Sequence, residues 1–139
     1  MIVRWGNVHE WALAEAIIRC VEDATGGKGG VEEVYIVVGE LQSIDLEVLR
    51  WALGELSRGT RLEQATFKFE VERAEFACRN CGKRWSLSDA SLGEEEREAV
   101  HFVPELVHSF VKCPACGSPD FEVVKGRGVW VKYIRLREG

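Results

Sequence analysis

The sequence lacks several features that would identify common protein classes. No apolar run is long enough to cross a membrane, and the first residues lack the apolar core and cleavage site of a secretion signal. Cations are not in excess: 18 lysines and arginines stand against 23 aspartates and glutamates, a net charge of −5. Non-specific nucleic-acid binding requires clustered cations, so this class is disfavoured. We therefore expect a cytoplasmic protein that binds neither membrane nor nucleic acid.

Local signatures of catalysis are also missing. The glycine-rich stretch 26–30 lacks the spacing and the Ser/Thr of a phosphate-binding loop, and no Gly-x-Ser-x-Gly motif occurs. The glutamates of 94–98 form a run that is typical of a solvated acidic face. These observations predict a binding protein and not an enzyme.

Most of the chain shows the periodicity of a small α+β fold. Apolar residues recur at three- and four-residue steps over 10–24, and a second helix is predicted to begin at Asp45, a good N-cap residue. Strand patterns occupy 31–41, 66–72 and the region around 130–136. The pattern predicts two helices packed on a small three-stranded sheet.

The segment 73–122 has a different character from the rest of the chain. It holds four of the five cysteines, all three prolines and few residues for a core of its own. About 50 residues rarely fold without a disulfide or metal crosslink. We therefore predict an inserted zinc-ribbon-like lobe at 73–122, and an α/β lobe that consists of 1–72 and 123–139.

Two matching Cys-x-x-Cys-Gly motifs give the strongest chemical signal. The first supplies Cys78 and Cys81, and the second supplies Cys113 and Cys116. Each motif brings two thiolates to one ion, so the pair predicts a tetrahedral four-sulfur site for zinc. Such a site has no open coordination position, which makes the zinc structural. The fifth cysteine, Cys20, lies on the apolar stripe of the first helix and is predicted to be a core residue.

The cysteine spacing alone leaves other functions open. A zinc-ribbon module for interaction or nucleic-acid binding has the same motifs. Rubredoxin, an iron electron carrier, has them too, because iron also accepts tetrahedral sulfur. In the rubredoxin alternative, however, the large α/β lobe would have no purpose.

The three histidines are weaker candidates when each is considered alone. His9 precedes the first helix, where a surface histidine is common. Pro104 predicts an extended segment at His101 followed by a short helix, in which His108 has a structural role. Further on, the stretch 125–128 is predicted to be a hairpin turn.

Five features occur together over nearly the whole chain: His9-Glu10-Trp11 at the helix start, Val38-Gly39-Glu40-Leu41, the Cys78/Cys81 pair, the Cys113/Cys116 pair, and Gly126-Arg127-Gly128 before the last strand. Together they resemble the motifs of the HypA family of nickel metallochaperones, which mature nickel–iron hydrogenases. The long loop between the two cysteine pairs resembles the archaeal branch.

The resemblance implies a nickel site at the start of the first helix. Family members begin Met-His-Glu and hold nickel by the terminal amine, a backbone amide nitrogen and the histidine imidazole. By this match His9 is the imidazole ligand, and Glu10 contributes backbone nitrogen or a nearby charge. His101 is a possible further donor. Seven residues precede Val8 here, so the terminal amine lies beside His9 only if Val8 is the true initiator.

The resemblance also implies partners. Nickel is the cargo and zinc is structural. A GTPase of the HypB type works with the chaperone in nickel insertion, and the hydrogenase large subunit receives the metal. Some family members also serve urease maturation proteins.

Overall fold

The computed structural model of the chain describes residues 10–42, 44–90, 93–103 and 106–138, with the backbone alone at 101 and 102. The chain divides into two compact units. The first contains residues 10–38, Ile44–Glu70 and 129–138, and the second contains the described parts of Gly39–Ser43 and Val71–Gly128. Among the described helices, none combines the length and apolar composition needed to cross a membrane.

The first unit contains two helices and a three-stranded sheet. The helices are α1 (Glu10–Thr25) and α2 (Leu46–Ser57). The strands lie in the order β2 (Thr66–Glu72), β1 (Val31–Gly39) and β6 (Val129–Leu136), with β1 and β6 antiparallel. This arrangement confirms the predicted α+β class.

Apolar side chains from both helices and the sheet form the core of this unit. The spacing that predicted α1 is the spacing of its buried residues, because residues three and four apart share one helix face. Cys20 is buried on the same helix, as predicted. The core includes Leu13, Ile17, Val21, Val34, Ile36, Val38, Leu49, Leu53, Phe67 and Val129.

The start of α2 is capped as predicted. The Asp45 carboxylate accepts hydrogen bonds from the backbone N–H groups of Glu47 and Val48, at 3.1 and 3.2 Å. Two of the N–H groups that a helix leaves without partners are thereby satisfied. At the other end, Gly59 follows the C-cap Arg58 with a φ of +72°.

The glycine-rich stretch after α1 forms a connection that a single arginine holds in place. The Arg61 guanidinium donates to the carbonyl oxygens of Lys28, at 2.7 Å, and Gly29, and it pairs with Glu22 at 3.2 Å. The carbonyls of this stretch therefore act as acceptors for a protein cation, which agrees with the expectation that it is no phosphate loop.

A buried carboxylate lies on β1. Glu33 is 3% exposed and accepts a hydrogen bond from the Tyr133 hydroxyl, while Lys68 pairs with it at 3.0 Å and Arg135 at 3.5 Å. The Tyr133 hydrogen bond, followed by the one from Lys68, lowers the pKa of Glu33. The buried Glu33 carboxylate stays ionised because a hydroxyl donor and two cations surround it.

The second unit contains a sheet of three short strands. They lie in the order β4 (Arg84–Ser86), β3 (Glu75–Cys78) and β5 (Phe121–Lys125), and both pairings are antiparallel. The unit also has α3 (Glu94–Phe102), α4 (Val107–Phe110) and two 3-10 turns, Glu40–Gln42 and Leu87–Asp89. The predicted insertion 73–122 falls inside this unit, whose limits extend further in both directions.

Two local predictions were wrong. The expected extended segment at His101 lies in the last turn of α3, and the short helix α4 follows after a break. The stretch 125–128 is no hairpin turn, because β5 pairs with β3 while β6 pairs with β1. It is instead the connection from one sheet to the other.

That connection passes very close to two other segments of the second unit. An added Cβ at Gly39 would lie 2.4 Å from the carbonyl oxygen of Gly126, and one at Gly126 would lie 2.3 Å from the Ala74 Cα. Two carboxylates bridge the same segments: Glu40 accepts from the Ala74 N–H and Glu72 from the Gly126 N–H, each at 2.8 Å. At Gly39 and Gly126 the crossing segments leave no space for a side chain.

We expect Gly126→Ala to destabilise the protein severely. Gly126 has a φ of +96°, and its new Cβ would meet backbone that cannot move aside, so the combined cost should be at least about 3 kcal/mol. Gly59→Ala is the matched control, because Gly59 has a φ of +72° but open space around it, and its cost should be about 1–2 kcal/mol. Thermal unfolding of the zinc-loaded protein measures both, and equal midpoints would contradict the role of the crossing.

Candidate metal centre

The two cysteine motifs adopt the same backbone structure. In the first, the N–H of Gly82 donates to the carbonyl of Cys78 at 3.0 Å, and in the second, the N–H of Gly117 donates to that of Cys113 at 2.9 Å. Both glycines have a positive φ, 80° and 76°. This conformation is easy for glycine and explains the residue after each second cysteine.

Each motif follows a structural element that fixes its first cysteine. Cys78 is the last residue of β3, and its N–H donates to the Lys83 carbonyl at 2.8 Å. Cys113 follows α4 and donates in the same way to the Ser118 carbonyl at 2.9 Å. Both of these cysteines are buried, whereas the second cysteine of each motif is exposed.

The four Sγ atoms form one cluster. All lie within 4.8 Å of one another, and the Cys78–Cys116 and Cys81–Cys113 pairs are each 3.6 Å apart. Tetrahedral coordination at a zinc–sulfur distance of about 2.3 Å places sulfurs roughly 3.8 Å apart. The cluster therefore fits zinc, as the sequence predicted. Among the described residues, it is the one group of three or more potential ligands.

Backbone N–H groups surround the sulfurs of the buried cysteines. The amides two and three residues after Cys78 donate to its Sγ at 3.3 and 3.4 Å. The corresponding amides after Cys113 donate to its Sγ at 3.4 and 3.5 Å. At Cys113 these donors favour the thiolate form, which is the form that binds metal.

These hydrogen bonds change the acidity of the thiols. The Asn80 side chain and the Ser118 backbone N–H lower the pKa of Cys116 to about 6, against a smaller opposing effect of burial. Burial raises the pKa of Cys113, but the backbone N–H groups of Cys116 and Ala115 outweigh it, and that pKa is lowered.

The pKa of Cys81 is raised, in contrast to those of Cys113 and Cys116. A backbone hydrogen bond with Lys83 lowers its pKa, but hydrogen bonds with the other three thiols, together with burial, raise it to about 11. Without metal, the cluster therefore retains protons at neutral pH. An incoming ion must displace them, which makes metal binding weaker in acid.

An aromatic cluster forms the core of this unit. The rings of Phe76, Trp85 and Phe121 lie with centroids 5.4–5.6 Å apart. The His108 ring stacks on Phe121 at 4.5 Å, and this contact agrees with the structural role predicted for it. The core of this unit also includes Leu41, Val100, Val107 and Val111, so it holds more apolar residues than the sequence predicted.

The residues predicted for nickel are only partly described. Val8 and His9 lie outside the described residues, and His101 is described by its backbone alone. Glu10 is the first residue of α1, and its Oε1 accepts a hydrogen bond from the Asp45 N–H at 3.3 Å. Nothing in the sequence predicts this contact, because no local pattern links residues 35 positions apart.

The fold and the thiol cluster together define a small metal-binding protein with a zinc-ribbon-like unit. A model of the family described as hydrogenase/urease nickel incorporation, metallochaperone, HypA matches residues 8–136. The chain is 49% identical over 135 residues to hydrogenase maturation factor HypA of Pyrococcus furiosus, with 94% of this chain and 97% of that protein covered. It is 33% identical to HypA of Methanopyrus kandleri, with 93% of each covered.

Solved structures show the same fold at lower identity. The solution structure of the Ni metallochaperone HypA from Helicobacter pylori has a TM-score of 0.59 at 14% identity, with 93% of this chain and 97% of that chain covered. The chain belongs to the HypA family. The family's described role, nickel incorporation, matches neither the electron carrier nor the nucleic-acid module that the cysteine spacing left open.

We expect Cys113→Ser to release the metal and loosen the second unit alone. Structural zinc contributes roughly 10 kcal/mol to the folding of such sites, whereas the first unit has its own apolar core. Metal analysis should show zinc lost, and hydrogen exchange should show protection lost only in the second unit, which is 39–43 and 71–128. Cys20→Ala is the control and should keep full zinc. Tight zinc in Cys113→Ser would contradict the four-sulfur assignment.

Proposed function

We propose that this protein is a non-enzymatic nickel chaperone of the cytoplasm. It binds nickel(II) near the start of α1 and delivers it, with a GTPase partner of the HypB type, to the hydrogenase large subunit during maturation. The observation that carries this proposal is the family match over 8–136, together with the relatives described as hydrogenase maturation factors.

The thiol cluster is proposed to hold zinc permanently and to take no part in nickel transfer. Four protein ligands from Cys78, Cys81, Cys113 and Cys116 fill a tetrahedral shell. No position then remains for a substrate or a water molecule. The zinc stabilises the second unit, and the nickel cargo binds to different ligands.

Nickel is proposed to bind nitrogen donors at the start of α1. Nickel(II) favours square-planar nitrogen ligands, which the His9 imidazole supplies together with the backbone nitrogens of His9 and Glu10 once these amides have released their protons to solvent. The first four N–H groups of a helix have no partner within the helix, so the nitrogens at the start of α1 are not committed to helical hydrogen bonds. His101 is proposed as a further donor.

The proposed partners follow from membership of the family. The sequence of this chain has no phosphate-binding loop, so the GTP hydrolysis that accompanies insertion is assigned to the HypB-type partner. The client is the hydrogenase large subunit. The family description also includes urease, so urease maturation proteins are a second proposed group of partners.

His9→Ala should weaken nickel binding by about 100-fold or more and leave zinc content unchanged. The reason is that the imidazole belongs to the nickel site and is not needed by the thiol cluster. Competition with a chelator measures nickel affinity, and metal analysis measures zinc. His101→Ala should cause a smaller loss of affinity. His108→Ala is the control, because this ring stacks on Phe121. Equal loss of both metals in His9→Ala would refute separate sites.

A chain that starts at position 8, with Val8→Met, should bind nickel more tightly than the chain of 139 residues. Its terminal amine lies next to His9 and adds a strong donor in a short chelate ring. Because this amine, with a pKa of about 8, must lose its proton, nickel affinity should rise with pH through that region. Identical affinities and pH profiles of the two chains would show that the terminal amine plays no role.

A further inference from the structure

The strand β4 forms a free edge of the sheet in the second unit. The sheet order is β4, β3 and β5, so β4 has a partner strand on one side only. Hydrogen-bonded pairs alternate along an antiparallel ladder, and Trp85 belongs to such a pair because Lys83, two residues earlier, accepts the N–H of Cys78 at 2.8 Å. The N–H and C=O of Arg84 therefore point away from β3, toward the free edge.

The open part of this edge is short. The N–H of Ser86 also points outward, but it donates to the Asp89 carboxylate at 3.2 Å. Within the described part of the chain, the N–H and C=O of Arg84 and the C=O of Ser86 remain for an added strand. So few backbone hydrogen bonds hold a segment weakly, and side-chain contacts must supply the rest of the affinity.

A cationic groove of about 270 Å³ lies on one face of β4. Its charged side chains are those of Arg73, Arg84 and Lys125, with one carboxylate, Glu75. Arg84 pairs with Glu75 at 3.4 Å, whereas neither Arg73 nor Lys125 forms an ion pair with another described residue. The groove is therefore positive on a chain whose net charge is −5. Its charge fits carboxylates, and its volume is suited to one or two acidic side chains.

A second groove, of about 370 Å³, includes the other face of β4. Lys83, Trp85, Asp89 and the residues 114–115 of the second cysteine motif line it, so it has no excess of charge. Successive side chains of a strand point to opposite faces, which places Trp85 on the other side from Arg84. Trp85 is 4% exposed, and its indole N–H has no hydrogen-bond partner among the described residues. A buried N–H of this kind needs an explanation, and an acceptor brought by a ligand is one.

We infer that the β4 edge binds an extended acidic segment of a partner protein, which pairs with the backbone of Arg84 and places its carboxylates in the cationic groove. Strand addition takes its affinity from backbone hydrogen bonds and its specificity from pockets for alternate side chains. The two grooves lie on alternate sides of β4, as such a segment requires. This inference goes beyond the proposed function, since it needs neither nickel nor the start of α1.

An octapeptide of alternating glutamate and threonine, blocked at both ends, is the probe for the zinc-loaded full-length protein. Amide chemical shifts should change at 73–75, 83–86 and 125, and those of the first unit should stay constant. Added salt should weaken the binding, because exposed charges are screened. An octapeptide of alternating lysine and threonine is the matched control and should not bind.

Two variants of Lys125 test the charge of the groove. Lys125→Glu should weaken binding of the acidic octapeptide about 10-fold or more, because like charges then face each other, and Lys125→Arg should keep it within about 3-fold. Arg58→Glu makes the same charge change on an exposed side chain that lines neither groove, and it should have no effect. Zinc content and the amide spectrum check that each variant is folded.

Two further comparisons test the backbone pairing. Proline is tolerated on an edge strand where the N–H faces outward, so Arg84→Pro should keep the sheet. It should bind the acidic octapeptide about 3-fold more weakly than Arg84→Gln, which removes the cation alone. Glutamates that lie on the Arg84 face pair with Arg84, so an acidic octapeptide with N-methylated glutamates should bind the wild-type protein more weakly than the parent peptide.

The inference would be overturned if the acidic octapeptide changed no chemical shifts around β4, or if Lys125→Glu bound it like the wild type. Binding of the lysine peptide, or loss of binding in Arg58→Glu, would also contradict it. Equal binding of the N-methylated and parent peptides would show charge attraction without strand pairing and would reject the inference even if Arg84→Pro failed to fold.

Discussion

Four cysteine sulfurs must share a space less than 5 Å across, and the second unit depends on this requirement. Two of the thiols have a pKa below the ordinary value, and the crowding raises that of Cys81. The cluster is therefore an arrangement that a divalent cation completes, since the ion replaces shared protons and neutralises thiolates. The strands β3, β4 and β5 are short, and an ion bound by the four thiols joins the turn after β3 to the turn before β5.

The first unit needs no metal, because two amphipathic helices and three strands supply an apolar core. This difference has a functional consequence. Soft sulfur donors belong to one unit, and the proposed nitrogen donors belong to the other, so coordination chemistry keeps zinc and nickel apart without a competition of affinities. A chaperone must release its cargo, whereas a closed four-thiolate shell holds its ion. Because zinc and nickel bind to different ligands, the protein can retain zinc and still release nickel.

The parts that sequence predicted best are those with a local physical cause. Helical spacing located α1, Asp45 located the start of α2, and the two Cys-x-x-Cys-Gly motifs located the thiol cluster. The helix α3 was missed, although its glutamates favour a helix start, because a run of one charge was interpreted as a solvated surface. The connection at 125–128 was interpreted as a hairpin, since turn chemistry gives the bend but not the partner of the following strand.

The residues of the candidate sites could be predicted only where a local motif marks them. The cysteine ligands follow from spacing, and the residues at the start of α1 follow from resemblance to a family. The contacts that hold this start, from Glu10 to Asp45 and from Trp11 to Trp51, join residues far apart in the chain. Only the packing of α1 against α2 brings them together. The close crossing of Gly39, Ala74 and Gly126 has the same origin, although both of its glycines lie in motifs shared with the family.

X-ray absorption at the zinc and nickel edges, on one sample loaded with both metals, tests the separation of the two donor sets most directly. The four-thiolate assignment predicts four sulfurs at about 2.3 Å around zinc, and the helix-start assignment predicts only nitrogen or oxygen neighbours around nickel. Sulfur in the first shell of nickel, or fewer than four sulfurs around zinc, would contradict it.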